Sequence, residues 1–280
     1  MHFVFDIDDT LISVANSFNK IEATAIEELG AEFVAAATTR ACDAVHLVFP
    51  GFYALFRWLD ARGGKLHFFS SGIELRNREL VPQLIERAFG PQDAARVMED
   101  VTIHSRTDCI DTDRLTQEAN EAIQGVFHGN RKKKLVGVVV PAAELPDTLL
   151  IDDDSSYTAR GEEHNFVHVI GDLGHYAILH NNVRNFQGFH KAFYLAGLLD
   201  RVFQAMAERE CSLADAAWCV QVEQSGETYG NRFFYPLRET TAWTLEGLAL
   251  LQTVDPTLRL YAPVPPPEPG FRRRLEPCPF

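Results

Sequence analysis

The sequence has few of the features that mark several common protein classes. Five cysteines occur among 280 residues and none forms a CxxC pair, which argues against a zinc cluster or a disulfide framework. It has no run of about 18 apolar residues, as a membrane span would need, and no signal peptide opens it. We therefore expect a protein of a reducing, cytoplasmic compartment without a membrane span, and leave open export into another cell by a route that needs no such signal.

Basic residues are also too few to balance the acidic ones. The 26 Lys and Arg residues stand against 39 Asp and Glu residues, for a formal net charge of -13. A surface of this sign repels nucleic-acid phosphates and anionic membranes, so a nucleic-acid partner is disfavoured. The Walker A, GxGxxG and GxSxG motifs are absent too, so nucleotide-dependent kinase, dinucleotide-binding and serine-hydrolase functions lack their sequence signals.

Hydrophobic residues are plentiful: they make up 46% of the chain, which is enough for a sizeable core. Their spacing predicts strands that alternate with helices. Apolar runs predict strands at 2–7, 65–69, 100–110, 135–140, 149–151 and 166–170. Helical spacing predicts helices at 16–37, from Gly51 to about Arg62, from Gly72 to about Phe89, and at 113–125. This alternation predicts an α/β fold with a parallel sheet covered on both faces, whose first strand opens the domain.

The pattern changes after about residue 171. Helical spacing continues at 176–208, 212–224 and 239–253, and the segment from Pro263 is rich in proline. We therefore predict an α/β catalytic core over 1–171, a helical C-terminal region over 172–262, and a flexible tail over 263–280.

Polar clusters follow the predicted strands where each strand ends. Asp6-Ile7-Asp8-Asp9-Thr10 follows the first, Ser70-Ser71 follows the strand at 65–69, and Asp152-Asp153-Asp154 follows the strand at 149–151. Lys132-Lys133-Lys134 lies between the last two. Ligands of parallel α/β sheets bind at the carboxyl ends of the strands, and oxygen ligands suit Mg²⁺. The sequence thus predicts a site for a divalent cation and a phosphate.

The residue types in these clusters match the needs of phosphoryl transfer. One carboxylate can attack phosphorus, and a second can move the proton of the leaving oxygen and later of water. A serine hydroxyl and a lysine ammonium can hold the phosphoryl oxygens. Both carboxylates have to reach the same phosphoryl group, so we expect the strand to end after Asp6 and the chain to turn, which brings Asp8 back over the site.

The order of these motifs over residues 2–171 resembles the haloacid dehalogenase (HAD) superfamily, most specifically in the N-terminal run from Phe3 to Leu11. The resemblance implies a three-layer Rossmann-like core with small insertions, Asp6 as nucleophile and Asp8 as general acid and base. It also implies Mg²⁺ held by Asp6, the backbone carbonyl of Asp8 and a later acid. The second Asp favours a phosphatase with an aspartyl-phosphate intermediate over a dehalogenase.

The later motifs look most like the branch of small carboxy-terminal-domain phosphatases and nuclear-LIM-interactor-like proteins, which implies a phosphorylated protein side chain (phosphotyrosine, phosphoserine or phosphothreonine) as substrate. That branch ends its last motif with Asp-Asp-Ser-Pro, and this chain lacks the proline and carries an extra acid. The residues that carry the resemblance are Arg106, Cys109, Lys133 or Lys134 before Leu135, Asp153-Asp154-Ser155-Ser156, and Asn165.

Taken together, these observations assign three sets of site residues. The expected catalytic residues are Asp6, Asp8, Ser70 and Lys133. The expected substrate-binding residues are Thr10, Ser71, Gly72 and Lys134, with Lys133 and Lys134 as alternatives for the lysine of the site. The expected metal ligands are Asp6, Asp8 and Asp153, with Asp152 and Asp154 as competitors of Asp153.

Several alternatives stay open on the sequence alone. The gaps between Thr10, Ser70 and Lys132 are too short for a large cap domain, so we expect an open site that admits a phosphoprotein, unless the helical C-terminal region covers it and selects a small metabolite. A phosphotransferase would keep the same residues, and a binding protein could keep only the fold. The oligomeric state is not indicated. Cys109 and the histidines His164, His168, His175 and His180 are interpreted as structural.

Overall fold

The computed structural model describes residues 1–12, 37–124, 131–169, 179–180, 190–225, 227–229, 232–234, 237–260 and 262–263. The predicted helix at 16–37 lies almost wholly outside these ranges. So do nearly all of the proline-rich tail and most of the first part of the helix predicted over 176–208. Within that prediction, Leu179–His180 is a short strand instead, and a helix is present from Lys191 to Arg209.

The strands of the central sheet are separated along the chain by helices, as predicted, but short strand pairs that the sequence did not suggest lie between them. The strands are β1 (His2–Phe5), β2 (Thr38–Ala41), β3 (Ala44–Leu47), β4 (Lys65–Phe69), β5 (Thr102–His104), β6 (Ile110–Asp111), β7 (Lys132–Lys133), β8 (Thr148–Asp152), β9 (Phe166–His168), β10 (Leu179–His180), β11 (Glu227–Tyr229), β12 (Arg232–Phe234) and β13 (Ala262–Pro263). The helices are α1 (Phe52–Asp60), α2 (Glu74–Met98), α3 (Gln117–Ile123), α4 (Val136–Val139), α5 (Lys191–Arg209), α6 (Leu213–Gln224) and α7 (Leu237–Val254).

A five-stranded parallel sheet forms the centre of the fold, in the order β5-β4-β1-β8-β9. The central strand β1 pairs in parallel with β4 on one side and with β8 on the other, so Phe3 lies opposite both Leu66 and Leu149. The order therefore reverses beside β1, which is where ligands bind in such sheets. The predicted α/β fold with a parallel, Rossmann-like sheet is confirmed.

Both faces of the sheet are buried. Successive side chains of a strand point to opposite faces, and on β1 both sets of side chains are covered. Phe3 and Phe5 pack in a large cluster with apolar residues of α1, α2, α5 and α7. Val4 packs on the other face with Phe69, Leu150 and Phe166 in a smaller cluster that includes Val136 of α4. The near-continuous apolar sequence of β1 and β8 follows from this double burial.

Two of the predicted strands differ from the structure. The single strand expected over 100–110 is split: β5 joins the sheet, whereas β6 turns away and pairs antiparallel with β7. The strand expected over 135–140 is wrong, because Val136–Val139 forms a short helix. The carboxylate of Glu162 accepts hydrogen bonds from the backbone N–H groups of Val136 (2.7 Å) and Gly137 (3.0 Å) and so caps its start. A short apolar run does not by itself distinguish these two states.

The helix predicted to end at about Phe89 continues after a break. Gly90 has φ 77° and ψ 164° inside α2, so two helical segments meet there at a kink. The predicted end of a helical segment at about Phe89 agrees with this break, and a second segment that the sequence did not suggest extends to Met98.

The helices of the C-terminal region share a core with the sheet. Phe203 of α5 contacts Phe3 of β1 with ring centroids 6.2 Å apart, and its ring lies 5.5 Å from that of Trp58 in α1. The predicted helices at 212–224 and 239–253 are confirmed as α6 and α7. The predicted boundary at residue 171 stays a prediction, although side chains from both sides of it pack in one hydrophobic cluster.

Candidate functional site

Asp6 follows the central strand directly and is fixed by the neighbouring strand. Its backbone N–H donates to the carbonyl of Ile151 at 2.8 Å, which continues the pairing of β1 with β8. The chain then turns, since the N–H groups of Leu11 and Ile12 both donate to the carbonyl of Ile7 (2.9 and 3.1 Å). Asp9 adopts a left-handed conformation in this turn (φ 57°), which Asp tolerates better than most residues. The side chain of Asp6 is 6% exposed and lies at the carboxyl end of the sheet.

Lys134 bridges two buried carboxylates. Its ammonium lies 2.6 Å from Asp6 Oδ1 and 2.6 Å from Asp152 Oδ2, and 4.2 Å from the ring centroid of Tyr157. Burial alone would lower the pKa of Lys134, but the Asp152 and Asp6 carboxylates together raise it above its usual range. Lys134 is therefore a permanent positive charge in the site.

The carboxylate of Asp153 lies beside the two that contact this lysine. Oxygen atoms of Asp6, Asp152 and Asp153 all lie within 4.8 Å of one another. Thr10 fixes Asp153 twice: its hydroxyl donates to Asp153 Oδ1 and accepts from the backbone N–H of Asp153, both at 3.2 Å. Oxygen atoms at this spacing can hold a hard divalent cation.

The charges of this cluster are incompletely balanced by the protein itself. Burial, followed by the charge of Asp152, raises the pKa of Asp153 to about 6. Burial likewise raises the pKa of Asp6 well above its ordinary value, and the nearby Lys134 only partly opposes this. A bound cation would relieve the remaining repulsion between the carboxylates. The residues present therefore fit a divalent metal ion.

Asp8 lies on the β4 side of Asp6, beside the predicted serine. Ser70 donates its hydroxyl proton to Asp8 Oδ2 at 2.9 Å and accepts from the backbone N–H of Gly72 at 2.9 Å. Both terminal nitrogens of Arg76 donate to the Asp8 carboxylate, Nη2 at 2.6 Å. Although burial raises the pKa of Asp8, the hydrogen bonds and charge of Arg76 and the Ser70 hydroxyl lower it below the ordinary value overall. Asp8 is thus held as an ionised carboxylate.

The segment after Ser70 lines the same edge of the site. The hydroxyl of Tyr157 donates to Ser71 Oγ at 3.0 Å, and Arg106 donates from Nε to the Ser71 carbonyl at 2.8 Å. A Cβ at Gly72 would overlap Arg76 Nη2, so a larger residue there would displace the guanidinium. The glycine therefore allows Arg76 to reach Ser70 and Asp8.

In the lysine run and in the second aspartate run, the structure places some residues at the site and directs others away from it. Lys133, the lysine predicted as catalytic, donates from Nζ to the carbonyl of Ser156 at 2.5 Å, whereas Lys134 contacts Asp6. Neighbouring residues of an extended segment point to opposite sides, so only one of the two meets the carboxylates. Asp154 likewise accepts hydrogen bonds from Ser156 (N–H 2.9 Å, hydroxyl 2.6 Å) and caps a short 3-10 helix, while Asp152 and Asp153 face Asp6.

Two basic residues that the sequence analysis did not single out also belong to this region. Arg76 is in the first turn of α2, where a basic residue is unfavourable next to the positive end of the helix dipole. This unusual position could have marked Arg76 as a functional candidate in the sequence. Lys191, at the start of α5, is 4% exposed. Burial lowers the pKa of Lys191, and the charges of Asp153 and Asp9 oppose that shift. No local pattern distinguishes Lys191 from other lysines.

The residues interpreted as structural have structural contacts where they are described. The ring of His164 stacks on Trp218 with centroids 4.8 Å apart and lies 2.8 Å from an Asp215 oxygen. His168 Nε2 lies 3.2 Å from the Asp153 carbonyl. Burial raises the pKa of the Cys109 thiol to about 11, so it is not a reactive thiolate. His175 lies outside the described residues, and nothing is described of the side chain of His180.

Comparison of the chain with protein-family models finds no match, and a search of the curated proteins finds none either. The function therefore has to be inferred from the site. In the described part of the chain, no helix combines the length and the hydropathy needed for a membrane span.

Proposed function

We propose that this chain is a Mg²⁺-dependent phosphatase of the HAD type, which hydrolyses phosphomonoesters through an aspartyl-phosphate on Asp6. The observation that carries the proposal is the convergence of Asp6, Asp152 and Asp153 at the carboxyl end of the central strand, with Lys134 between Asp6 and Asp152. The position of Asp8 beside Ser70 supports it further. The resemblance of the sequence motifs to that superfamily points the same way.

The chemistry follows from the positions of these side chains. A carboxylate oxygen of Asp6 attacks phosphorus, and the bond from phosphorus to the leaving oxygen breaks while protonated Asp8 supplies the proton to that oxygen. Because Arg76 and Ser70 favour the ionised form of Asp8, Asp8 must first take up this proton, from solvent in the first turnover and from the attacking water of the preceding turnover afterwards. Asp8 then removes a proton from water, whose oxygen attacks the phosphorus of the aspartyl-phosphate and releases Asp6 and inorganic phosphate. Ser70 and Lys134 contact the phosphoryl oxygens. Lys134 takes the role predicted for Lys133, because Lys134 is the lysine beside Asp6.

Asp6, Asp153 and Asp152 would hold the Mg²⁺ ion, together with the backbone carbonyl of Asp8. The bound ion would supply compensation for the negative charge of the carboxylates and the phosphoryl group. The carboxylate of Asp154 caps the 3-10 helix and is left out of this set.

The proposal is tested by hydrolysis of para-nitrophenyl phosphate by the wild type and by Asp6→Asn, with Mg²⁺ and with EDTA. We expect metal-dependent hydrolysis by the wild type and a loss of at least about a thousandfold in the variant, because an amide cannot act as the nucleophile. Asp113→Asn serves as the matched control, since Asp113 is exposed and makes a surface ion pair with Arg131. An Asp6→Asn variant that retains turnover would refute the aspartyl-phosphate.

The intermediate can be observed directly. Acid quench during turnover, followed by borohydride reduction, converts an acyl phosphate on Asp6 to homoserine, which mass spectrometry of the peptide detects. Adding an acceptor alcohol then separates hydrolysis from transfer: formation of inorganic phosphate supports a phosphatase, and a phosphorylated acceptor as main product supports a phosphotransferase. An unmodified Asp6 in an active enzyme would remove Asp6 from the mechanism. The phosphoprotein substrate implied by the branch resemblance stays a prediction.

A further inference from the structure

Arg76 lies on the Asp8 side of the site and donates hydrogen bonds to three other residues. Its side chain is 13% exposed. Besides its two bonds to Asp8, its Nη2 donates to Ser70 Oγ at 3.2 Å and to Asn77 Oδ1 at 2.8 Å. Asn77 is itself fully buried and donates to Ser105 Oγ at 3.0 Å. The guanidinium is therefore fixed on several sides.

One donor of this guanidinium is left over. Nη1 carries two hydrogens, and Asp8 is its acceptor for one of them. Among the residues that the structure describes, the second hydrogen of Nη1 has no acceptor. Because the side chain is 13% exposed, we infer that this N–H can meet a group that enters the site beside Asp8.

The hairpin of β2 and β3 packs along the helix that carries Arg76. Glu79 and Gln83 lie on the same face of α2 as Arg76. Glu79 Oε2 accepts from the N–H of Cys42 at 2.7 Å, and Gln83 Oε1 accepts from the hydroxyl of Thr39 at 2.7 Å. His46 of β3 is 2% exposed and close enough that, after burial, the charge of Arg76 lowers the pKa of its ring. Arg76 thus lies between Asp8 and this hairpin.

Under the proposed function, the leaving group of the substrate has to lie against Asp8, which supplies the proton to its oxygen. The nearest fixed cation on that side is Arg76, whereas Lys134 serves the side of Asp6. The planar guanidinium fork matches the geometry of a carboxylate, and here it already holds one, that of Asp8. A second carboxylate at the edge of Nη1 would meet the unused N–H.

We propose that Arg76 is a specificity-determining residue that binds a carboxylate on the leaving group, so that the substrate is a small phosphomonoester bearing a carboxylate close to the phosphate. This inference rests on the proposed function. It favours the small-metabolite alternative over a phosphorylated protein side chain, whose own carboxyl group is consumed in a peptide bond.

The test compares two substrates that differ only in the carboxylate: O-phospho-L-serine and O-phosphoethanolamine. For the wild type we expect kcat/KM to be about 10- to 100-fold higher for O-phospho-L-serine than for O-phosphoethanolamine, because a charge-assisted hydrogen bond stabilises binding by about that factor. In Arg76→Gln this ratio should fall close to one, mainly through KM. In Arg76→Lys, which keeps the charge but loses the fork, the ratio should be intermediate. Arg78→Gln is the control, since Arg78 is exposed and pairs with Glu74 one turn away.

The ratio isolates carboxylate recognition from any effect of Arg76 on Asp8, because a displaced Asp8 slows both substrates equally. A wild type that shows no preference between the two compounds overturns the inference, and so does an Arg76→Gln variant that keeps the wild-type ratio. The wild-type comparison needs no variant to fold. If para-nitrophenyl phosphate hydrolysis is intact and depends on Asp6 while the ratio is one, the carboxylate subsite fails and the phosphatase stands. If the wild type hydrolyses none of the three compounds (para-nitrophenyl phosphate, O-phospho-L-serine and O-phosphoethanolamine), the result counts against the phosphatase itself.

Discussion

At the scale of single residues, the charge balance of the site depends on Lys134. Its ammonium is the positive group that contacts both Asp6 and Asp152, and each contact is 2.6 Å long. Burying these groups is unfavourable unless they are paired. The lysine thus allows two carboxylates to remain in the interior, and under the proposed function it is the cation that meets a phosphoryl oxygen.

Replacing Lys134 by Met should therefore destabilise the metal-free protein. Two buried carboxylates lose their partner, and we expect the free energy of unfolding to fall by roughly 3–5 kcal/mol, measured by urea unfolding at pH 7 in EDTA. Added Mg²⁺ should restore part of the loss, since a cation can replace the missing charge. Lys132→Met is the control: Lys132 is partly exposed and lies 3.5 Å from Asp111, so we expect less than about 1 kcal/mol. Equal losses in the two variants would contradict this account of Lys134.

At the scale of elements, the turn after β1 and the start of α2 bring together groups that are far apart in the sequence. Asp8 and Arg76 are 68 residues apart, and Thr10 and Asp153 are 143 apart. Parallel pairing of β1 with β4 and β8 aligns the ends of all three strands, so the loops that follow them meet. The capping of α4 by Glu162 then fixes the chain immediately after Lys134.

The kink in α2 provides a prediction for this element. Gly90 lies in a backbone region that only glycine adopts readily, and a Cβ there would have nothing within 4 Å. Gly90→Ala should therefore cost about 1–3 kcal/mol through the backbone alone, without a steric contribution, as measured by urea unfolding. Gln92→Ala, at an exposed position of the same helix, should change stability by less than about 0.5 kcal/mol. A neutral Gly90→Ala would mean that the two segments can join into one regular helix.

At the scale of the whole molecule, the two ends of the sheet differ in chemistry. The carboxyl end holds the carboxylates, whereas histidines meet at the opposite end: His2 Nδ1 lies 3.0 Å from His67 Nε2, and His67 Nδ1 lies 2.9 Å from the Thr102 hydroxyl. Burial, followed by the neighbouring His2, lowers the pKa of His67 to about 4. His67 is thus kept neutral in the folded state.

This arrangement should make stability depend on pH. Since the folded pKa of His67 lies below its ordinary value of 6.5, the folded state binds fewer protons than the unfolded state, and stability present above pH 6.5 is lost as the pH falls towards 4. The loss attributable to His67 is about 3 kcal/mol. Asp153, whose pKa is raised to about 6, acts in the opposite direction over the same range. The contribution of His67 is therefore read from the difference between the wild type and His67→Gln.

Urea unfolding of both proteins at intervals from pH 7 to pH 4 gives this difference. We expect the wild type to lose more stability than His67→Gln as the pH falls, because glutamine does not titrate. Parallel pH profiles for the two proteins would show that His67 is not the neutral buried group described above.

Much of the architecture and of the site could be predicted from local sequence. The apolar runs that end in acids predicted β1, β4 and β8, since strands buried on both faces must be apolar and their ends must carry the polar ligands. The same reasoning selected Asp6, Asp8, Ser70 and the acids after Ile151. It mistook Val136–Val139 for a strand, because a run of valines favours a strand and the cap supplied by Glu162 comes from 26 residues further along the chain.

Only the tertiary structure decided which member of each polar run enters the site. Lys132, Lys133 and Lys134 are chemically alike, and so are Asp152, Asp153 and Asp154, so composition cannot rank them. Their side-chain directions are set by the pairing of β7 with β6 and by the turn after β8. The recruitment of Arg76 depends on contacts across 68 residues and on a glycine that leaves room for it. The sequence by itself determined the chemistry at the strand ends, because polar groups at buried ends need partners. The fold determined their partners, because direction and distance are properties of the packed chain.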